Sequence, residues 1–406
     1  MSSHDTMGLQ DGPGSQDPPG SQDRPGSQDR PGSQHRDDAH WMQLAVSLAA
    51  RGGAAVRPNP QVGCVLVRAG VVVGSGHHAY CGGPHAEAVA LAEAGTDARG
   101  ATAYVTLEPC DHQGRTPPCA QALIAAGVAR VVVGVGDPNP LAKGGVDRLR
   151  DHGIPVVVGV CAADCEEVAE VFLTGVRADR AFLQLKLAAT MDGFTAAADG
   201  TSQWISGELA RAEVHRMRAA ADAVLIGSGT ALADDPRLDV RHVACDRQPL
   251  RVVLDRRLRL PISSNLADVT TSATLLLVED PELIHTPHAA ALRARGIEVA
   301  CVTRDSSSSW LQAVLKTLRI RGYHHVFCEG GATLATALLR ADLVDRIDLF
   351  QAPILLGTGR PLWSDFGVGT LSEARALRLR PPQLLGDDVW LTARRRQLEA
   401  SSCSPG

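Results

Sequence analysis

At 406 residues the chain is about twice the length of a typical single domain, so two domains with separate cores are expected. Its 44% apolar and 21% charged residues match soluble globular protein and exclude a disordered or membrane-embedded chain. A net charge of −5, with 3% aromatic residues and no basic stripe, gives no electrostatic reason to bind nucleic acid or an anionic membrane.

There is neither a run of eighteen apolar residues nor a basic-then-apolar N-terminus, so a cytoplasmic location without a membrane partner is expected. Ten cysteines spread over this length then imply reduced, buried thiols, with a metal site among them, rather than a disulfide framework. From Pro13 to Arg36 the chain repeats PGSQDP, PGSQDR, PGSQDR, PGSQHR. Almost without apolar side chains, such a tract cannot offset its ordering entropy by burial. Residues 1–38 are therefore expected to be a disordered tail, and 399–406 a flexible C-terminus.

The next 140 residues or so alternate between helical and strand periods. A helix is predicted over Trp41–Ala50, strands over Val62–Val67 and Val71–Gly74, and a helix over His85–Ala94. Then come a strand at Thr102–Leu107, the loop EPCDHQGRTPPC, a helix at Ala120–Gly127 and a strand at Ala129–Val135. Val146–His152 (helix) and Pro155–Val160 (strand) extend the pattern, which implies a layered α/β domain over 39–178. Asp164–Arg180 is helix-like and carries the chain into a second α/β run over 179–398. That run opens with FLQLKLAA (strand), ELARAEVHRMRAA (helix) and DAVLIG (strand), and closes with VWLTA.

The loop cysteines, Cys110 and Cys119, need a reason to share a Pro- and Gly-rich segment. Zinc is the commonest partner of thiolates mixed with imidazole, and a catalytic zinc keeps three protein ligands and one open corner. His85 supplies the imidazole at the start of the helix in PHAEAVAL, with Glu87 two residues on. Cys119 precedes AQALIAAG, where unpaired helix N–H groups favour thiolate over thiol. His-x-Glu followed by Pro-Cys and a second Cys is the signature of zinc deaminases, although here eight residues rather than two separate the cysteines.

Taken singly, each of these residues reads as readily as a buried small thiol or a satisfied surface histidine. A closed structural site would need a fourth ligand, for which His112, Asp111 or Cys81 are candidates, but it would leave Glu87 without a task. In the catalytic reading, zinc brings the pKa of water toward ~7. Glu87 moves protons from that water to a ring nitrogen and to departing ammonia, converting an amine-bearing ring carbon into a carbonyl.

The second half lacks a G-x-G-x-x-G turn after a strand, so no standard dinucleotide crossover is indicated. It does contain VFCEGGATLATALL, an apolar strand running through Gly330-Gly331 into a helix whose first amides could bind phosphate. Such turns also occur for steric reasons alone.

RPNPQVGCVLV, PHAEAVAL, TAYVTLEPCDHQGRTPPC and GVGDPNP resemble the deaminase half of the bifunctional riboflavin-biosynthesis deaminase/reductase family. QLKLAATMDG, SQWIS, GTALADDPRLDVR and EGGATLATALL are similar to its reductase half. The resemblance covers roughly 39–395. It implies an N-terminal cytidine-deaminase-like three-layer α/β/α domain and a C-terminal dihydrofolate-reductase-like α/β domain. The implied substrate is a diamino-pyrimidinone ribosylamino 5′-phosphate, deaminated and then reduced by NADPH at its ribose. One zinc would be held by His85, Cys110 and Cys119, with Glu87 as proton shuttle.

Asn59 and Arg115 would contact the first-site substrate, although the PNP of Asn59 also reads as a plain turn. NADPH would be contacted at Ala188, Trp204, Thr230, Asp234, Gly331, Ala332, Thr333, Leu334, Ala335, Thr336 and Ala337. Ser202, Arg218, Leu238, Arg241 and Glu329 would meet the second-site substrate, the arginines as phosphate forks. Lys186 breaks an apolar strand with a charge that is costly unless paired or used. Glu329 is its candidate partner, and the two are expected to flank the carbon that receives hydride. Where family members often carry a small polar residue after LD, this chain has Arg256.

Two rival readings remain at this point. One is a zinc deaminase of another nucleoside or nucleotide with a non-catalytic C-terminal binding or dimerisation module. The other is a structural zinc protein that binds nucleic acid, which the acidity and few aromatics disfavour. A homo-oligomer is the expected assembly.

Overall fold

The computed structural model describes residues 31–112, 117–304 and 308–395, with side chains from residue 36 onward. Most of the repeat tail, Arg115 and residues 396–406 therefore lie outside the described residues.

The first helix, α1, spans Pro31–Ala49, so it begins eight residues before the expected domain start. Asp38 explains its reach: this buried carboxylate accepts Tyr104 Oη at 2.9 Å and both guanidinium arms of Arg130 at 2.7 Å. A tail judged only by its composition hides that anchor. Strands β1 (Gly63–Arg68) and β2 (Val71–His77) form a hairpin, followed by α2 (Ala86–Ala94), β3 (Thr102–Leu107) and α3 (Cys119–Ala126). The domain continues through β4 (Arg130–Val135), α4 (Gly145–Asp151) and β5 (Val156–Val158). The sheet order is β2-β1-β3-β4-β5, with β3, β4 and β5 parallel and β1 antiparallel to both neighbours.

Each face of this sheet buries a helix layer, as expected where strands read as continuous apolar runs. Met42, Ala45 and Leu48 of α1 pack with Val65, Val67 and Val132 on one face. Ala86, Ala90, Leu123 and Leu149 from α2, α3 and α4 pack on Leu66, Val105 and Val133 on the other. Gly74 and Gly76 let α2 lie directly on β2, because a Cβ at either would strike helix backbone at 2.3 and 2.4 Å.

Two short helices, α5 (Ala162–Val168) and α6 (Glu170–Ala178), lead to the second domain. Their apolar residues Cys165, Ala169 and Leu173 close the first core. Their carboxylates face the other way. Glu170 binds Arg346 at 2.6 Å and Arg394 at 2.7 Å, while Glu167 binds Arg394 at 3.0 Å and also Arg380.

The second domain runs β6 (Phe182–Thr190), β7 (Phe194–Ala197), α7 (Glu208–Ala220), β8 (Ala223–Gly227), α8 (Ser228–Asp234) and β9 (Leu250–Leu254). It continues with β10 (Thr274–Val278), α9 (Pro287–Ala294), β11 (Glu298–Cys301), α10 (Trp310–Ile320), β12 (His325–Cys328) and α11 (Ala332–Arg340). The last strands are β13 (Arg346–Ala352), β14 (Gly359–Pro361), β15 (Leu377–Leu379), β16 (Gln383–Leu385) and β17 (Asp388–Arg395).

The main sheet is ordered β11-β10-β9-β8-β12-β6-β13-β17-β15, parallel from β11 to β13 and antiparallel at β17. One face packs on α10 and α11 through Val314, Leu318, Ala335 and Leu338. The other packs on α7 and α9 through Val214, Met217, Ala289 and Leu292. Phe327 and Phe350 are fully buried there, and cutting either to Ala should cost about 3–5 kcal/mol. Among the described residues, no helix is long and apolar enough to cross a membrane.

Candidate functional site

His85 is the N-cap of α2, and Cys119 is the first residue of α3, so two helix starts face one another across the end of β3. His85 Nδ1 lies 3.2 Å from Cys119 Sγ and 3.6 Å from Cys110 Sγ. The three donor atoms lie within 4.8 Å of one another, and they form the metal-competent group among the described residues. The other ligands considered from sequence do not join this group: Asp111 pairs with Arg148, and His112 and Cys81 are exposed.

The electrostatics suit a divalent cation. A hydrogen bond from Cys119 holds the Cys110 thiol down to about 4, and His85 and the Cys119 backbone N–H add to that effect. The shared bond and burial push Cys119 the other way. The helix-start N–H groups thus serve Cys110 rather than Cys119, because Cys119 N points at Cys110 Sγ at 3.4 Å. The hydrogen bond to Cys110 raises His85, against burial. Two thiols and an imidazole at this spacing are the donor set zinc takes, and three ligands leave a coordination position for water.

Glu87 sits in the first turn of α2, 3% exposed. Burial lifts its carboxyl to about 6, against its own backbone N–H and His85, which places it in the range of a group that both accepts and returns a proton near neutrality. Asn59 lies on the rim, where its Nδ2 donates to His78 Nε2 at 3.1 Å while His78 Nδ1 donates to the Pro84 carbonyl at 3.0 Å. Burial keeps His78 below its ordinary range, in the neutral form that this pattern needs.

Sequence reasoning missed His78 and also Glu108. The Glu108 carboxylate accepts Gly144 N at 3.0 Å, Val146 N at 3.1 Å and Asp137 N at 3.1 Å, tying the loop before α4 to the end of β3. Its position directly before Pro-Cys was the available signal.

The second constellation stands at the carboxyl ends of β12 and β8, beside β6. In the β12–β6 register Cys328 faces Leu185, so the next rung is Glu329 and Lys186. Both are largely buried, in charged surroundings. Burial pulls the Lys186 ammonium below the usual lysine range, with Glu329 opposing. Burial pushes Glu329 up, yet Arg218 and Lys186 outweigh it and leave the carboxyl below its ordinary value.

The hydrogen-bonded partner of Glu329 is not Lys186, as the sequence suggested, but Arg218 of α7, which grips it from Nε at 2.5 Å and Nη2 at 3.0 Å. The reason is reach. A guanidinium on the helix above covers both carboxylate oxygens, whereas Lys186, one strand over, acts through space.

Arg218 Nη1 also donates to the Asp239 carbonyl at 3.0 Å, and Arg241 pairs with the Asp239 carboxylate at 3.0 Å, so the two arginines share one loop. Leu238 before them adopts φ 54° and is buried. His215, one turn ahead of Arg218, accepts Arg241 N at 3.1 Å; burial and the two arginines push it down to about 4. Its spacing from Arg218 on one helix face was legible in the sequence and went unused.

Gly331 caps α11 and donates its N–H to Thr230 Oγ1 of α8 at 3.2 Å. A Cβ at Gly330 would meet Leu334 Cδ2 at 2.6 Å, so the approach of this turn to its helix needs glycine. Of the predicted run, Ala332, Ala335 and Thr336 are buried, and Thr336 Oγ1 accepts Ser364 N at 2.9 Å. Ala188 is half-buried on the same strand face as Lys186, and Asp234 ends α8 with its carboxyl raised by burial. Trp204 is 70% exposed with Arg211 over its ring at 4.8 Å, and Ser202 lies half-buried in the same loop.

Residues 35–135 match the family described as the cytidine and deoxycytidylate deaminase zinc-binding region, and residues 181–391 match the RibD C-terminal domain. The riboflavin biosynthesis protein RibD of Aquifex aeolicus is 39% identical over 359 residues, covering 88% of this chain and 98% of that protein. The chain belongs to the RibD family.

Two solved structures agree. The Thermotoga maritima diaminohydroxyphosphoribosylaminopyrimidine deaminase/5-amino-6-(5-phosphoribosylamino)uracil reductase superposes with a TM-score of 0.74 at 34% identity, covering 89% of this chain and all of that one. Acinetobacter baumannii RibD gives 0.73 at 38%, with the same coverage. RibD membership makes this a two-domain riboflavin-biosynthesis deaminase and reductase, with the zinc site at His85, Cys110 and Cys119 and a nicotinamide-dependent second half. The rival readings, a non-catalytic second half and a structural zinc protein, are set aside.

Proposed function

We propose that the chain deaminates 2,5-diamino-6-ribosylamino-4(3H)-pyrimidinone 5′-phosphate and then reduces the ribosyl group with NADPH. The product is 5-amino-6-ribitylamino-uracil 5′-phosphate. The observation that carries this reading is a buried Glu87 beside the His85, Cys110 and Cys119 donors in one domain, with Lys186 and Glu329 on one rung in the other.

Bound zinc supplies Lewis-acid activation of water at neutral pH. Glu87 takes a proton from the attacking water and passes it to the ring nitrogen, then moves the remaining hydroxyl proton to the leaving amine as the C–N bond breaks, so that water and amine become carbonyl and ammonia. Asn59, oriented by neutral His78, meets the sugar; Arg115 is assigned to the phosphate.

In the second half, the Gly331 turn with Thr230, exposed Thr333 and half-buried Leu334 and Ala337 hold the NADPH phosphates, buried Ala332 contributing through the first turn of α11, with Ala188, Trp204 and Asp234 completing the contact. Ala335 and Thr336 support that face from the core. Arg241 is the more available phosphate ligand, because three Arg218 donors are committed to Glu329 and Asp239. Ser202 and Leu238 border the substrate. Lys186, kept easy to deprotonate by burial, delivers the proton that accompanies ribose ring opening while Glu329 fixes its field.

The boundary is assigned to 178/179, and the assembly to a cytoplasmic homo-oligomer. Incubation with the diamino-pyrimidinone ribotide, with and without NADPH, tests the whole sequence of steps. Ammonia should appear without reductant, and NADPH oxidation only after it; reductant consumption that needs no prior deamination overturns this order.

A further inference from the structure

Arg57 belongs by sequence to the first domain, two residues before Asn59, yet its side chain ends in the second. Its Nη1 forms an ion pair with Asp222 at 2.8 Å, and its Nη2 donates to the Ala220 carbonyl at the end of α7. Both side chains of the pair are nearly buried, at 11% and 3% exposure, so the contact is shielded from solvent and from salt.

Asp222 is itself rigid. One of its oxygens accepts the N–H groups of His324 and His325 at 2.9 Å, the other accepts Arg247, and its carbonyl accepts Leu250 N at 3.0 Å. Burial pushes the Asp222 carboxyl up, but Arg57 and these donors outweigh it and keep the carboxyl ionised. The grip therefore falls on the root of the reductase sheet, where β8, β9 and β12 begin.

On its own side the 57–61 loop is held only by local bonds: Arg57 N reaches Ala54 O at 3.3 Å, Asn59 N reaches Val56 O at 2.9 Å, Asn59 Nδ2 meets His78, and Gln61 at the far end reaches the Ala49 and Ala50 carbonyls at 3.3 and 3.4 Å. A short loop with few anchors places its side chains no better than its best anchor, and a substrate contact displaced by about 1 Å loses its hydrogen bond, which weakens binding.

We infer that Arg57 is a positioning residue for deamination, through which the reductase domain holds the Asn59 loop of the deaminase site. The inference rests on the reading of Asn59 as a substrate contact. It makes the deaminase site dependent on a carboxylate 165 positions away in the chain, and it gives the fusion of the two domains a mechanical role in the first reaction.

The test uses the full-length, zinc-loaded chain. Ammonia release is followed without NADPH, and reduction is followed separately on the deaminated ribosylamino compound. Arg57→Met should raise KM for deamination by about tenfold with kcat within about twofold, unchanged zinc content and unchanged reduction. Arg57→Lys should recover most of the loss. Asp222→Asn, which keeps an oxygen for the His324 and His325 N–H groups, should reproduce the effect without emptying the site.

Asn59→Ala separates the two readings. If it raises KM while Arg57→Met leaves KM at the parent value, the Arg57 inference falls and the Asn59 reading stands. If Asn59→Ala has no effect on deamination, the Asn59 reading fails and the inference falls with it. An equal KM shift in both reactions with Arg57→Met would mean general loosening and would overturn the positioning role.

Discussion

The two reaction centres are built by opposite means. The deaminase centre collects soft, individually cheap donors at helix starts, and a cation can draw such donors together despite imprecision of an ångström or so. The reductase centre places full charges on a strand rung under a helix, with no ion to gather them. There, register is everything: a one-residue slip of β12 against β6 would move Glu329 to the opposite face, away from both Lys186 and Arg218. A metal centre can thus tolerate a variable loop, such as the eight residues between Cys110 and Cys119, whereas a rung of buried charges cannot.

The contrast can be broken at four points. Cys119→Ser, or exhaustive chelation of the parent chain, should cut deamination by roughly three orders of magnitude with loss of bound zinc, while reduction of the deaminated compound persists. Metal content and the two separate assays check this. Glu87→Gln should retain zinc yet lose roughly 10²- to 10⁴-fold in deamination, since only the proton path is removed.

On the other side, Lys186→Met should lower reduction by roughly 10²-fold with little effect on ammonia release. Unchanged turnover would remove Lys186 from the mechanism. Glu329→Gln leaves Arg218 buried without its counter-charge and should destabilise the second domain by about 3 kcal/mol, measurable as a lower denaturant midpoint.

The smallest expected effect concerns pH. Burial holds His325 well below the ordinary histidine value of 6.5, so the unfolded chain takes up the proton first. That contribution to stability is full above pH ~6.5 and drains as pH falls below it. Melting temperatures between pH 7.5 and 5.5 should therefore decline, and His325→Gln, which can still donate to Gln184, should decline less steeply by up to about one proton.

Much of this was legible in the chain. Thr102–Leu107 and Glu208–Ala220 fall where their periodicity put them, because strand and helix there are bounded by Gly, Pro or a cap. The zinc ligands were legible because their chemistry restricts them to a few residue types near helix starts. The start of α1 was not, since Asp38 is fixed by Tyr104 and Arg130, some 66 and 92 residues away. Nor was the Arg218–Glu329 pair, 111 residues apart, because only the packing of α7 over the sheet brings them together. Glu108, His78 and His215 work by orienting other groups; Glu108 beside Pro-Cys and His215 one turn from Arg218 left a positional trace, whereas nothing around His78 announces a role carried out through hydrogen bonds.

Helix α6 bears on how the molecule can be dissected. Its oily side completes the first core through Leu173, while the acids just before and at its start clasp arginines on the far sheet. A scissile point before it strips the deaminase fragment of part of its floor, and one after it parts Arg394 from Glu167 and Glu170 and leaves Arg346 with Asp348 alone. Seams in sequence and in space do not coincide, and neither fragment made by a single cut inherits a whole surface.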